Sequence, residues 1–371
     1  MIRVLFLVPS LTGGGAERVM VTLLRHLDRS RFEPILAVVD TRRAAFLDQV
    51  PKDVELIDLE CSRVRRALPA IVRLIRRLRP EVVFSTLGHL NLGLAISRPL
   101  LPKGVKLIGR ETTLVTLGLE DRRHAALWRL GYRRLYRRLD RVVCQSRAMR
   151  DDLVENLAFP PDKVAVIHNP VDMERIGSHL GRDGPARADR SDGTTLHLVA
   201  AGRLRTVKGF DLLLEAMALC PDLPMHLTLL GEGPEEQALR RLAASLGLQG
   251  RAEFAGFVPD PFALFARADA FVLSSRFEGF PNVVLEALAC GTPVIATPAR
   301  GGLREIIDTI PQCELANEVS AEALAGAIRS WAARRPGRVD AAVLAPFRVE
   351  RIVSLYETEI LRTAAGPPPA S

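Results

Sequence analysis

Cysteine is scarce and scattered in this sequence: five residues, Cys61, Cys144, Cys220, Cys290 and Cys313, with no CxxC pair and no regular spacing. That argues against a disulfide-stapled scaffold or a cysteine-based zinc site, and it fits a reducing cytosol. Long apolar runs are missing too. None reaches the roughly 18 to 20 residues needed to span a bilayer, so integral membrane classes are excluded. The opening MIRVLFLVPS has one basic residue and a short apolar run, too little for a secretory signal, and it reads as a first strand. Glycine (27) and proline (25) are too few for a collagenous or low-complexity chain.

What is present is an ordinary globular composition, 48% hydrophobic and 25% charged. At 371 residues the chain exceeds the size at which one core stops growing, so two domains of about 150 to 200 residues are expected. Charge is divided unevenly between them. Residues 1–180 hold 31 Lys and Arg against 20 Asp and Glu, and the remainder hold 20 against 23. A basic first half points to an anionic partner, either phospholipid headgroups, a phosphorylated lipid or nucleic acid; a solvated Arg-rich surface is the plain alternative.

Short apolar, β-branched runs recur at 4–8, 34–39, 54–59, 82–85, 106–109, 141–146 and 164–168, with amphipathic helical stretches between most of them. After a polar, Gly-rich stretch at 181–193 they resume at 197–202, 225–231, 252–257, 270–275 and 293–297. Alternation of this kind predicts βα units on parallel sheets, hence an α/β protein of two doubly wound Rossmann-like domains rather than one large barrel. The boundaries expected are 1–172 and 196–346, with a linker at 173–195. A helix at about 347–363 is expected to pack back on the first domain, ahead of a disordered tail at 364–371.

Three motifs carry chemistry. GGGAE, at Gly13 to Glu17, lies between the first strand and a helical run, where a glycine turn can bring an anion to a helix N-terminus; a tight structural turn is the alternative. It lacks the spacing of a dinucleotide fingerprint. GRLRTVKGFD, at Gly202 to Asp211, places Arg203 and Lys208 at the carboxyl end of a strand, the rim where open α/β sheets bind ligands. A diphosphate would meet both cations there, one a fork and one a point charge. The third, FEGFPNVVLEALACGTPVIAT, sets Glu278 on a loop and Glu286 within a helix that stops at Gly291, with Pro281 suited to the first helical position. Amides near Pro281 to Val283 form a second anion site, and a helix carboxylate can accept bonds from vicinal hydroxyls such as those of ribose. On composition alone two glutamates eight positions apart also fit a solvated face.

This arrangement resembles family 4 of the retaining glycosyltransferases, of GT-B fold, whose signature is E-x7-E within EGFPN-x3-EA-x2-CG-x-PV. The resemblance covers nearly the whole chain: Gly14 and Gly15, HNPVD (His168 to Asp172), GR-x4-KG (Arg203, Lys208), GEGP (Gly231 to Pro234) and GG-x2-E (Gly301 to Glu305). It implies two domains facing each other across a cleft. Arg203 and Lys208 would bind the donor diphosphate, Glu286 the ribose and Glu278 the transferred sugar. Gly14, Gly15, Gly231, Phe257, Phe280, Pro281, Asn282 and Val283 complete the implied donor set. His89, in FSTLGHLNLG, is similar to a histidine that faces the donor sugar in relatives, although a lone histidine is often structural. Arg110 and Glu111, in the next loop, are candidates for the acceptor. Two departures stand out: Pro170 replaces a common glycine, and DTIPQCELANEV (308–319) replaces D-G-x2-G-x-L-V.

No D-x-D pair occurs in the sequence, so the metal-chelating carboxylates of the other main glycosyltransferase fold are missing and protein cations are expected to do that work. No cofactor is expected beyond a nucleotide-sugar co-substrate, and the GFPN form resembles that of relatives using UDP-sugars more than of those using GDP-mannose. RVRRALPAIVRLIRRLRP (63–80) and RRHAALWRLGYRRLYRRLDR (122–141) are basic amphipathic stretches that can either lie on anionic lipid or pack on the domain's own sheet. No nucleic-acid motif accompanies the charge. The expectation is a cytoplasmic, metal-independent retaining glycosyltransferase, peripheral to the inner face of the plasma membrane, acting on a saccharide or lipid-linked saccharide. A nucleotide-sugar epimerase of similar fold and a non-catalytic carbohydrate- or lipid-binding module are the alternatives.

Overall fold

The structure is a computed structural model that describes residues 1–42, 44–120, 124–180 and 195–366. The chain divides into two compact units. One is formed by Met1–Pro170 together with the terminal helix Val349–Ala365; the other spans Val171–Arg348.

In the first unit a seven-stranded sheet comprises β1 (Ile2–Val8), β2 (Phe32–Val38), β3 (Glu55–Asp58), β4 (Val82–Thr86), β5 (Lys106–Arg110), β6 (Arg141–Cys144) and β7 (Val164–Val166). The spatial order is β3-β2-β1-β4-β5-β6-β7, with every pair parallel. The runs Val4–Val8 and Val82–Phe84 are unbroken because both faces of a parallel sheet are covered. Side chains alternate: Leu5 and Leu7 join one core cluster, whereas Val4, Phe6 and Val8 join the other. The first cluster lies under the helices Val64–Leu78, Gly88–Ser97 and Ala125–Leu135, the second under Gly15–His26 and Val349–Ala365. Each fully buried Leu, Val or Phe contributes about 1.5–3 kcal/mol.

The second unit has a six-stranded parallel sheet: β8 (Leu196–Ala201), β9 (Met225–Leu230), β10 (Ala252–Gly256), β11 (Ala270–Leu273), β12 (Val294–Ala296) and β13 (Glu314–Leu315), in the order β10-β9-β8-β11-β12-β13. Alternation again divides the core, with Ala270 and Val272 on one side and Phe271 and Leu273 on the other. β13 lies inside the departing stretch 308–319 and is absent from the sequence-based strands. Of the expected linker, Met173–Leu180 is helical and its Ile176 packs into the second unit's core; 181–194 lie outside the described residues. The terminal helix continues through Ala365, into the expected tail, and 367–371 also lie outside the described residues.

That terminal helix is bound to the first unit by more than apolar contact. Ile352, Val353, Tyr356 and Ile360 are buried, Glu357 accepts the Asp28 N–H at 2.8 Å, and Glu359 forms an ion pair with Arg141. Both partners of that pair are nearly buried, with side-chain exposures of 12% and 9%. Removing one partner strands the other in a desolvated site. Arg141→Met is therefore expected to destabilise the protein by about 3–5 kcal/mol, read as a lowered urea midpoint, and replacing Arg141 and Glu359 together by apolar residues should recover most of the loss.

Candidate active site

A doubly wound sheet opens a crevice at the carboxyl ends of the two strands where the strand order reverses. In the second unit that point falls between β8 and β11. GRLRTVKGFD leaves β8 and FEGFPN leaves the β11 end, so the two strongest motifs meet there. Lys208 Nζ lies 2.6 Å from Glu278 Oε1, and Ser275 Oγ donates to the same oxygen at 2.6 Å. Glu278 is buried and Lys208 half-buried, so this charge-assisted bond is only weakly screened. Arg203 differs: it is exposed, and its guanidinium takes no partner among the described residues.

Contacts that sequence reading missed hold these loops. Arg276 grips Asp211 with both arms at 2.8 and 2.6 Å and donates to the Thr206 carbonyl at 2.6 Å. Its own N–H bonds the Val207 carbonyl at 2.8 Å, and Ser274 Oγ bonds the Lys208 carbonyl at 3.0 Å. The Glu278 loop is fixed from the other side, with Glu278 N–H on the Arg300 carbonyl and Gly302 N–H on the Gly279 carbonyl, both at 2.9 Å. Gly301 sits at φ +129, and a Cβ there would lie 1.6 Å from the Glu278 carbonyl oxygen, so only glycine fits.

The remaining donor candidates occupy the same unit. Pro281 is the N-cap, at φ −80 and ψ 95, and not the first helical position; the helix is Asn282–Ala289. Asn282, Val283 and Glu286 are half-buried on it. Phe280, in the implied donor set, has its side chain turned inward. Its ring is buried against Phe347 at 5.9 Å, sealing the core beneath the helix. Gly231 follows β9 and donates to the Gly256 carbonyl at 2.7 Å, while Phe257 follows β10 with its ring half exposed.

In the first unit the strand order reverses between β1 and β4. GGGAE follows β1 and His89 follows β4. The reading of Gly14 as a phosphate site needs correction. Glu17 turns back and accepts the N–H groups of Gly13 at 3.0 Å and Gly14 at 2.8 Å, with Ser10 Oγ at 2.5 Å. A buried carboxylate already holds those donors, as the glutamate half of a capping box does, and would repel a phosphate. Gly14 and Gly15 stay exposed, so they offer close approach and no anion hole at Gly14. His89 is exposed near the N-terminus of the helix Gly88–Ser97. Leu87, just before it, has φ 77 and ψ 125, a conformation that costs a leucine about 1–3 kcal/mol.

The acceptor role of Arg110 and Glu111 is also corrected. Both are buried where β5 ends, beneath neighbouring elements rather than on the rim. Arg110 donates to Tyr356 Oη at 3.1 Å, Thr86 Oγ1 at 3.3 Å and Asn169 Oδ1 at 2.6 Å. Glu111 accepts from Asn91 Nδ2 at 3.1 Å and from the Tyr136 hydroxyl. Burial pushes the Glu111 carboxyl up to about 8, against the lowering effect of the Asn91 bond.

On the helices of the same unit, Tyr132, Tyr136 and Leu139 pack inward, whereas Leu127 and Leu130 are exposed beside Arg129, Arg133, Arg134, Arg137 and Arg138. The helix Val64–Leu78 likewise buries Ala67, Ile71, Leu74 and Ile75 and exposes Arg65, Arg66, Arg73, Arg76 and Arg77. Its inner face packs on the domain; its outer face is basic. No helix among the described residues is long and apolar enough to cross a membrane.

Comparison with known proteins places this geometry. Residues 13–175 match the model of Glycosyltransferase Family 4, and residues 187–342 match that of Glycosyl transferases group 1. The chain is 30% identical to the N-acetylgalactosamine-N,N'-diacetylbacillosaminyl-diphospho-undecaprenol 4-alpha-N-acetylgalactosaminyltransferase of Campylobacter jejuni, over 80% of this chain and 81% of that protein. It is 35% identical to the lipopolysaccharide core biosynthesis glycosyltransferase LpsE of Rhizobium meliloti, over 47% of each chain. Among solved structures, Anabaena HepE in complex with UDP-glucose superposes with a TM-score of 0.78 at 21% identity, over 97% of this chain and all of that one, which shows a shared GT-B fold. Two α/β units of parallel sheets, family matches to both, and the identity to the Campylobacter enzyme together show that this chain belongs to glycosyltransferase family 4.

Proposed function

We propose that this glycosyltransferase takes its sugar from a UDP-linked donor bound at the β8–β11 rim, retains the configuration of the donor linkage, and transfers to a lipid-linked saccharide without a metal ion. The observation that carries the reading is the Arg203, Lys208 and Glu278 arrangement: an exposed guanidinium with no partner among the described residues and an ammonium beside a buried carboxylate. Arg203 and Lys208 receive the diphosphate and neutralise charge that grows on it as it leaves, the task a divalent ion performs elsewhere. Glu286 accepts bonds from the ribose hydroxyls, Phe257 supplies apolar surface for the base, and Glu278 orients the sugar. His89 is assigned the sugar-facing role that the family resemblance gives it.

The acceptor class rests on the names of relatives: a diphospho-undecaprenol-linked acceptor for the Campylobacter enzyme, and lipopolysaccharide core for LpsE. An acceptor of that class is membrane-borne, and the arginine-rich outer faces with exposed Leu127 and Leu130 supply the matching surface. Basic residues near an anionic leaflet each contribute about 1 kcal/mol.

Two measurements check this function. Arg203→Ala and Lys208→Ala are expected to lower turnover of UDP-sugars about 10²- to 10³-fold, while Glu286→Ala raises the donor KM more than it lowers kcat. Full turnover by either cation variant would overturn the assignment. The protein is also expected to float with vesicles rich in anionic phospholipid at low salt and to be released at high salt. Replacing Arg133, Arg134, Arg137 and Arg138 with Gln should abolish flotation and leave the fold intact.

A further inference from the structure

We propose that Glu111 is a positioning residue: its buried carboxyl group, with Asn91 and Tyr136, holds the strained Leu87–Gly88 turn that presents His89. The proposal rests on the His89 role stated above for its functional meaning, but its geometry is independent of that role. Leu87 lies at φ 77, where an L side chain is disfavoured, so something outside the turn has to hold it. The turn is tied at both ends: Leu87 N–H bonds the Arg110 carbonyl at 3.2 Å, and the Leu87 carbonyl accepts from Leu90 at 3.0 Å and Asn91 at 3.1 Å. Gly88 presses directly on the cluster. A Cβ there would lie 2.2 Å from Tyr132 Oη and 3.1 Å from Glu111 Oε2.

Asn91 is the centre of the network. Its amide nitrogen reaches the Arg110 carbonyl at 3.0 Å, Glu111 Oε1 at 3.1 Å and Tyr136 Oη at 2.9 Å, and its oxygen accepts from Ser85 Oγ at 2.7 Å. Gln145 Nε2 bonds the Glu111 carbonyl oxygen. Every member is buried, so displacing the Glu111 carboxyl moves the atoms on which Gly88 rests. A network of this kind controls the exposed histidine without touching a ligand.

The site is tuned to hold Glu111 uncharged. Burial is the main cause, and the group is pushed up to about 8. Asn91 and Arg110 oppose the rise and Asp152 reinforces it. Cys144, on β6, is held as a thiol chiefly by burial, the more so once Glu111 ionises, and Tyr136 faces the carboxyl from the helix side. Because the folded acid binds its proton more tightly than the unfolded chain, the stability it contributes is complete below the ordinary carboxylate range and is lost as pH rises through about 8. Ionisation then places a charge in a desolvated site under the turn, offset only in part by Asn91 and Arg110.

The test uses the full chain and needs no donor or acceptor. The Cε1–H resonance of His89, assigned with His89→Gln, is expected to show an inflection near pH 8 that is absent from Glu111→Gln. Hydrogen exchange in residues 87–92, corrected for intrinsic rate, should speed up across the same interval in the wild type and stay flat in that variant. Glu111→Gln should otherwise keep the wild-type His89 shift, while Glu111→Leu should displace it at every pH. A wild-type inflection that survives Glu111→Gln, or a His89 shift unmoved by Glu111→Leu, overturns the proposal. A Glu111→Leu variant that lowers Tm but leaves the His89 signal in place assigns the residue a purely structural role and also overturns it. Failure of the His89 reading itself has a separate signature: His89→Ala would leave UDP-sugar turnover unchanged while the resonance still followed Glu111.

Discussion

The bond between Lys208 and Glu278 joins two loops 70 residues apart, and the geometry of the second unit's rim depends on it. An ammonium and a carboxylate 2.6 Å apart in a site this enclosed are worth keeping together only if both loops are already in place, because ordering either one for a single contact would cost more than the contact returns. The surrounding structure meets that condition. Arg276 binds Asp211 and the Thr206 carbonyl, which fixes the Lys208 loop, while Gly301 and Gly302 seat the Glu278 loop. The Lys208–Glu278 pair is thus held in place by its surroundings, and Arg203 stands exposed with no side-chain partner among the described residues.

The first unit repeats the architecture with opposite electrostatics at the corresponding rim. Its reversal point between β1 and β4 carries Glu17, which uses the amides a phosphate would need. The excess of arginine in this half is consequently not a feature of the rim. It lies on the outer faces of the helices Val64–Leu78 and Ala125–Leu135 and on the short turn that follows the latter. A phosphate at the rim of one unit and a broad anionic surface along the helices of the other are different recognition problems. The charge distribution separates them, since a point site needs a few oriented donors and a surface needs many loosely placed cations.

Much of this was legible in the sequence, for reasons that particular residues make plain. Twelve of the thirteen strands among the described residues were readable as short apolar, β-branched runs, most plainly the buried ones such as VLFLV. β13 was not, since Glu314 and Leu315 are too few to show a period. That Lys208 and Glu278 follow strands at one rim was legible in the motifs, whereas their contact with each other was not. What escaped was contact between residues far apart in the chain: nothing around Asp211 announces Arg276, and nothing around Arg110 announces Tyr356, 246 positions later. The misreadings share that origin. Arg110 and Glu111 looked like rim residues because they end a strand, and only the elements packed over them bury both. Glycine signals were double-edged, because the turn that lets a ligand approach also let Glu17 cap its own helix. Leu87 gave no warning, since leucine is not a residue that marks a turn.

The terminal helix links these long-range contacts to the way the chain becomes a protein. Tyr356 closes the Arg110 cluster, Glu359 neutralises Arg141, and Ile352, Val353 and Ile360 cover a core lined by Val4, Phe6 and Met20. The first unit thus waits for residues 349–365, while Val171–Arg348 contains its own two core clusters, so the second unit can be complete first. Without that helix Arg110 keeps Thr86 and Asn169 but lacks Tyr356, Arg141 lacks Glu359, and the face of the first sheet under Gly15–His26 is only partly covered. The terminal helix contributes one partner to each arginine, which couples the polar network under the His89 turn to residues 349–365. Fusing the fate of Arg110, Asn91 and Glu111 to Tyr356 makes the shape of that turn a property of the whole unit rather than of its local sequence.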